Sequence, residues 1–294
     1  AALIHQGQKQ ENQDPQVETQ QEVALPDSGH TLRIQGSDGQ ITQMDLNQYL
    51  WGVVAAEMPA SFHEEALKAQ AVAARTYALH RGKTNNHPDA DLCTDYRCCQ
   101  AWIAKDQAQS NWGDKAIEYT NKITAAVADT ANQVILYDGQ LIDAVFHSSS
   151  ASATQDAVEV WGNSVPYLQS VVSPGGTAFD GYESAVTVSA DDFREKVGSA
   201  FPAADLSGPP SAWFKASVRS DAGGIKTVKL GGVTVEGTAV RELFGLRSTN
   251  FTVTTADDSL TFHTIGYGHG VGLSQYGAKY MAENGADYRE ILAH

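Results

Sequence analysis

Between Leu46 and Arg81 the chain carries two helical patterns separated by a proline, and this pair limits the fold more than any other feature. Leu46, Leu50, Val53, Val54 and Glu57 recur at spacings of three and four; Asp45 stands where a cap is needed, and Pro59 forbids continuation. Ser61 followed by Glu64 reads as a capping box opening a second helix, from Glu65 to about Arg81. Its alanines (Ala66, Ala69, Ala71, Ala73, Ala74, Ala78) favour helix and permit close approach of a neighbour. Two tightly packed helices are therefore expected ahead of the cysteines.

The rest reads as short strands. Asp38-Gly39, Asp138-Gly139 and Gly231-Gly232 each sit between apolar runs (Thr31 to Ile34 and Ile41; Val134 to Tyr137 and Leu141 to Phe146; Lys226 to Leu230 and Val233 to Glu236), which is the signal of a hairpin. Phe251 to Thr254 with Leu260 to Thr264 reads as another. Ala185 to Val188 leads through Ser189 into a helical pattern ending at Val197, and Thr238 to Phe244 is a short helix closed by Gly245. The expected class is α+β: a helical catalytic core with short antiparallel β-hairpins and an inserted α/β subdomain. Residues 1–28, rich in Gln, Glu, Asn and Asp, read as a polar tail or linker; 29–179 with 263–294 form the expected core and 180–262 the insert.

Charge narrows the function classes. With 35 acidic and 20 basic side chains, a net of -15, the chain lacks the cation density of a phosphate-tracking surface, so nucleic acid is excluded as the expected partner. Apolar runs such as Leu50 to Ala56 fall short of the ~20 residues needed to span a bilayer. No signal-peptide pattern opens the sequence, and its polar start fits the soluble part of an anchored protein.

Glu57 breaks the local rule, because it takes the next position of an apolar stripe instead of the solvent face. Burial raises a carboxyl pKa, and the C-terminal end of a helix dipole pushes the same way. An acid tuned in this manner can protonate a glycosidic oxygen, which is a poor leaving group otherwise. Arg75, in the alanine-lined stretch, needs a counterpart; Glu57 or a substrate carboxylate would serve, and a structural Glu57 to Arg75 ion pair is the competing reading. His87, Cys93, Cys98 and Cys99 put one imidazole and three thiols within thirteen residues, a set suited to tetrahedral zinc that holds a loop; a disulfide from Cys93 to Cys98 or Cys99 is the alternative.

The run Tyr49-Leu50-Trp51-Gly52-Val53-Val54-Ala55-Ala56-Glu57-Met58-Pro59, continued by Glu65 to Tyr77, resembles the signature of the SpoIID and LytB family. Phe146-His147-Ser148-Ser149-Ser150, Val160-Trp161-Gly162, Pro166-Tyr167-Leu168 and the stretch from Gly266 to Ala278 agree with it, so the resemblance spans about residues 30–294 and is least distinctive over 180–262. It implies a lytic transglycosylase that cuts between N-acetylmuramic acid and N-acetylglucosamine and leaves a 1,6-anhydromuramic end, acting in sporulation (engulfment). By the same resemblance Glu57 is the catalytic carboxyl, with Arg75 and Tyr167 as functional partners. Gln169 stands where relatives often carry Lys and offers a hydrogen bond without charge. His147, Ser148, Ser149, His269, Gln275 and Tyr276 are expected to line or support the cleft, with glycines 266 to 272 letting the backbone approach a sugar. A nucleophilic serine beside His147 is disfavoured, since adjacency does not create a base geometry. Some family members carry His at the position of Cys98, again a zinc ligand.

The resemblance further implies denuded glycan strands as substrate, a SpoIIP-type amidase and a SpoIIM-type membrane scaffold as partners, and membrane-anchored action in the intermembrane space of the sporulating cell. Two other readings compete: a noncatalytic glycan-binding enhancer of a cell-wall amidase, and a zinc hydrolase, disfavoured because no open three-ligand site with a Glu base is evident.

Overall fold

The computed structural model describes residues 21–82 and 87–294. β1 (Thr31–Gln35) and β2 (Ile41–Asp45) pair antiparallel across the Asp38-Gly39 turn, with Gly39 at φ 80°. α1 (Leu46–Glu57) follows directly, because the Asp45 carboxylate accepts the Asn47 N–H at 2.8 Å. It stops where Met58 turns extended ahead of Pro59. α2 (Glu64–Arg81) begins differently from the sequence expectation: His63 Nδ1, not Ser61, accepts the Glu65 N–H. Residues 59–62 close a turn of their own through Phe62 N–H to Pro59 O, which leaves Ser61 outside the helix and the expected capping box unformed.

β3 (Leu92–Cys93) adds to β1 in parallel, with Gln35 opposite Cys93. Two helices that the sequence reading did not assign come next, α3 (Lys105–Trp112) and α4 (Ala116–Asp129). The buried face of α4 carries Thr120 and Thr124 beside Ile123, Ala126 and Val127. β4 (Leu136–Tyr137) and β5 (Gln140–Leu141) form the Asp138-Gly139 hairpin, with both turn residues at positive φ, but it is only two residues deep. β6 (Phe146–His147) leaves it for another partner, described below, and α5 (Ala157–Trp161) ends at Gly162.

The middle of the chain builds two three-stranded sheets. β7 (Glu183–Ser189) leads into α6 (Ala190–Ala200) as expected, and Ser189 caps that helix; β8 (Phe214–Arg219), β9 (Ile225–Leu230) and β10 (Val233–Glu236) follow, then α7 (Gly237–Phe244), β11 (Phe251–Thr255) and β12 (Ser259–Ile265). Sheet orders are β10-β9-β8 and β11-β12-β7, all antiparallel. The chain then returns through β13 (Leu273–Ser274), which pairs parallel with β6, to α8 (Gln275–Glu283) and α9 (Tyr288–Ala293). The class is α+β.

Apolar burial falls into separate clusters. The larger is centred on α2, whose alanines are buried against α1, α4, α8 and α9. A second lies wholly between Ala190 and Phe262, where the Phe193 ring stacks on Phe244 at 5.0 Å. That separation supports the division into 29–179 plus 263–294 and 180–262, which we carry as a proposal. Of the segment read as a tail, residues 21–28 lie against the protein: Val23 N–H donates to Asn121 Oδ1, and Asn47 Nδ2 donates to Pro26 O. Residues 1–20 lie outside the described residues. Among the described residues no helix is long and apolar enough to cross a membrane.

Candidate functional site

Glu57 sits at the last position of α1, half-buried, on the wall of an open depression of about 300 Å³. Trp112, Ser148, Phe179, Gln275 and Tyr276 complete the lining from elements far apart in sequence. Burial pushes the Glu57 carboxyl above its usual range, and the Ala101 N–H, donated to Oε1 at 2.7 Å, pulls less strongly the other way. The group is therefore both accessible from the depression and biased toward its protonated form.

Ala101 is held in place by residues 100–103, which run alongside α1. Ile103 N–H donates to Gly52 O at 3.2 Å, and the Tyr49 hydroxyl donates to Gln100 Oε1 at 3.4 Å. A Cβ on Gly52 would lie 2.2 Å from the Trp102 Nε1, so only glycine admits that indole. On an open helix face Gly→Ala stabilises by about 1 kcal/mol. Here Gly52→Ala is expected to destabilise by about 1–3 kcal/mol, because it forces Trp102 and the Ala101 amide outward; thermal melting measures the sign.

The opposite wall depends on the β6 and β13 pair. It places Ser148 next to Tyr276, whose N–H donates to Ser148 O at 3.0 Å, and Tyr276 packs edge-on against Phe62 at 4.9 Å. Gln275 is buried, its Nε2 donating to Gln70 Oε1. Glycines 266 to 272, expected to admit a sugar, are closely approached by the protein itself: a Cβ on Gly272, at φ 73°, would lie 2.3 Å from Val145 O, just ahead of β6, and one on Gly266 2.8 Å from Ser149 O. His147 is buried, donating from Nδ1 to Val271 O at 3.1 Å and accepting at Nε2 from the Ser150 hydroxyl at 2.6 Å. Burial, with His269 nearby, takes its pKa down to about 3, so it is a neutral structural ring. Neither Ser148 nor Ser149 bonds to His147; Ser150 does, but that pair is buried and Ser150 is not part of the lining of the Glu57 depression, so it faces no substrate there. His269 accepts the Val271 N–H at Nδ1 and rests 5.5 Å from the Trp161 ring; burial, then Arg241, lowers its pKa to about 4.

Arg75 does not meet Glu57. It is buried with its guanidinium turned to the C-terminus of α4, donating to the carbonyls of Val127, Thr130 and Gln133 at 3.1, 2.8 and 3.2 Å. Helix ends leave carbonyls unsatisfied, and a buried cation that binds several of them satisfies both sides. Burial lowers its pKa to about 10, which keeps it charged at neutral pH. Arg75→Ala is expected to lower unfolding free energy by about 2–3 kcal/mol, since those carbonyls lose their partner inside the protein; denaturant melts measure it. Tyr167 and Gln169 line a different cavity, of about 290 Å³, where the Tyr167 hydroxyl accepts the Asp143 N–H at 3.2 Å. The structure does not bring them to the Glu57 depression.

His87, Cys93, Cys98 and Cys99 do converge. Their ligand atoms all lie within 4.8 Å of one another, with His87 Nε2 at 3.4 and 3.5 Å from the Cys98 and Cys99 sulfurs. A zinc ion at ~2.3 Å from sulfur and ~2.0 Å from nitrogen needs ligand spacings of this order. The vicinal thiols fit because Cys98 and Cys99 both donate their N–H to Asp95 O, a turn that Cys93, fixed in β3, faces from the sheet. All three thiols are free.

Trp112 and Phe179 were not singled out from the sequence, because nothing local marks them; only the fold carries them to Glu57. The SpoIID family profile (stage II sporulation protein) matches residues 35–137, a span holding Glu57, Arg75 and the four Cys and His residues. The chain is 36% identical to stage II sporulation protein D of Bacillus amyloliquefaciens over 88% of its length and 74% of that protein. It is 36% identical to the Bacillus subtilis protein of that name over 86% and 73%. To an amidase enhancer of Bacillus subtilis it is 30% identical, over 83% of this chain and 39% of that protein.

Proposed function

The chain belongs to the family of stage II sporulation protein D, and from that premise we propose that it is a peptidoglycan lytic transglycosylase in which Glu57 serves as both acid and base. One observation carries the reading: among the described residues lining the depression, Glu57 is the one carboxylate. Glycoside hydrolysis with water ordinarily uses a pair of carboxylates about 5–10 Å apart. A lytic cut needs one. Protonated Glu57 delivers its proton to the bridging oxygen as the C1–O bond of the muramic residue breaks. The resulting carboxylate then takes the proton of that sugar's own 6-hydroxyl as O6 closes on C1. No water is consumed, no electron changes hands, and Glu57 ends protonated.

Zinc at His87, Cys93, Cys98 and Cys99 is part of the proposal as a structural ion: four protein ligands close a tetrahedral site and leave none for water. The ion would hold the turn from which residues 100–103 leave toward Glu57. Action outside the cytoplasm, on strands cleared by a SpoIIP-type amidase beside a SpoIIM-type scaffold, is proposed from family membership alone. Similarity to an amidase enhancer favours one second reading, a glycan-binding module without chemistry. Incubation with purified strands lacking stem peptides decides between them. Anhydromuramic ends detected by mass spectrometry are expected; binding without such ends favours the second reading.

A further inference from the structure

We propose that Arg247 recognises the free lactyl carboxylate of a muramic acid residue, and thereby favours strands whose stem peptides have been removed; this rests on reading the Glu57 depression as a glycan cleft. Phe179, on the wall of that depression, is tilted against Tyr276 at 5.2 Å and stacked on Tyr267 at 5.9 Å. Tyr267 is 44% exposed. These rings form a row leading from Glu57 outward, the kind of flat apolar surface on which the C–H face of a pyranose lies.

Arg247 crowns the outer part of the row. Its guanidinium sits 5.7 Å from the Phe179 ring centre and 5.4 Å from that of Tyr267, and one amino group donates to Gly181 O at 2.7 Å. Stacking and that hydrogen bond fix the plane of the group. Among the described residues no carboxylate forms an ion pair with Arg247, although the chain carries 35 acidic side chains against 20 basic ones. A half-buried, immobilised guanidinium with donors to spare is suited to a planar anion. On a denuded glycan strand the muramic lactyl group supplies one; with a stem peptide attached, the same carbonyl is an uncharged amide. The arginine would therefore bind the first form and gain nothing from the second.

The test uses denuded strands and the same strands with the lactyl carboxyl converted to a methylamide. Binding is measured on the Glu57→Gln chain, and product formation on the chain with Glu57 intact. The acid form is expected to bind roughly ten- to hundred-fold more tightly than the methylamide, as befits a charge-assisted hydrogen bond. Arg247→Ala and Arg247→Gln should each abolish that preference by weakening the acid form alone. Gln retains a planar donor for the Gly181 carbonyl, so a purely structural role predicts rescue by Gln and equal losses on both substrates. Equal losses, or a preference that survives either substitution, overturns the inference. If the preference depends on Arg247 but no anhydromuramic ends form, the lytic reading fails and the recognition stands. Ends that form with a preference indifferent to Arg247 give the reverse.

Discussion

Glu57→Gln should reduce the formation of anhydromuramic ends by at least about 10³-fold while the protein keeps its fold. General acid or base catalysis contributes typically about 10²–10⁴-fold; in the proposed mechanism one side chain performs both steps, and among the described residues lining the depression no second carboxylate could substitute. Gln retains an oxygen that accepts the Ala101 N–H, so the substitution removes the proton and little else. The pH dependence follows from the same burial. In the proposed mechanism cleavage starts from the protonated acid, and a raised pKa keeps that form to higher pH, so activity should fall as pH rises through the raised value. Stability runs in the same direction. Above the unfolded-state pKa the folded chain holds a proton that the unfolded chain has released, so stability declines with rising pH until the folded carboxyl ionises. In Glu57→Gln that decline should be absent. Circular dichroism melts at several pH values, run beside product assays, read both. Product persisting in the variant at wild-type rates would place the chemistry at another group.

The two halves of the site differ in how far the sequence revealed them. Glu57 was legible because a carboxylate in an apolar stripe violates a local pattern, and local patterns survive in a linear string. His87, Cys93, Cys98 and Cys99 were legible because their spacing is short, and the turn at Asp95 brings Cys98 and Cys99 to Cys93 and His87. Arg75 was not. A buried cation next to alanines announces that it needs a partner, yet the partners are main-chain carbonyls at the end of α4, and carbonyls have no signature in a sequence. The glycines from 266 to 272 show a need for close approach that was plain in the sequence, whereas its partners, such as the Val145 carbonyl next to Gly272, were not. Tyr167 and Gln169 were assigned by likeness to relatives, and the fold directs them to a neighbouring cavity. Residues such as Trp112 and Phe179 reach Glu57 only through long-range packing, which no window of sequence contains.

Removing the proposed zinc should do more to this protein than any single substitution away from Glu57. Purified without chelator, the chain is expected to carry about one zinc, held by a closed set of three thiolates and an imidazole. A ligand that binds only the folded state adds RT ln(1 + [L]/Kd), about 4 kcal/mol when free metal stands 1,000-fold above its dissociation constant. At roughly 2–4 °C per kcal/mol, its removal should lower the melting temperature of the helical core by about 8–16 °C. The loss extends beyond the loop. From Cys99 the chain passes through Gln100 to Ala101, so a relaxed turn frees the amide that Glu57 accepts and lets Trp102 lift from Gly52. Activity should therefore fall with the chelated metal and return when zinc is restored, in proportion to occupancy. Burial pushes the Cys99 thiol up to about 12 in the absence of a cation, so protons and zinc compete for the same sulfur. Binding must then weaken as pH falls, and Cys99→Ser should mimic the chelated protein at every pH. A chain that contains no metal as purified, or whose melting temperature ignores a chelator, would show that four convergent ligands are held by the fold alone.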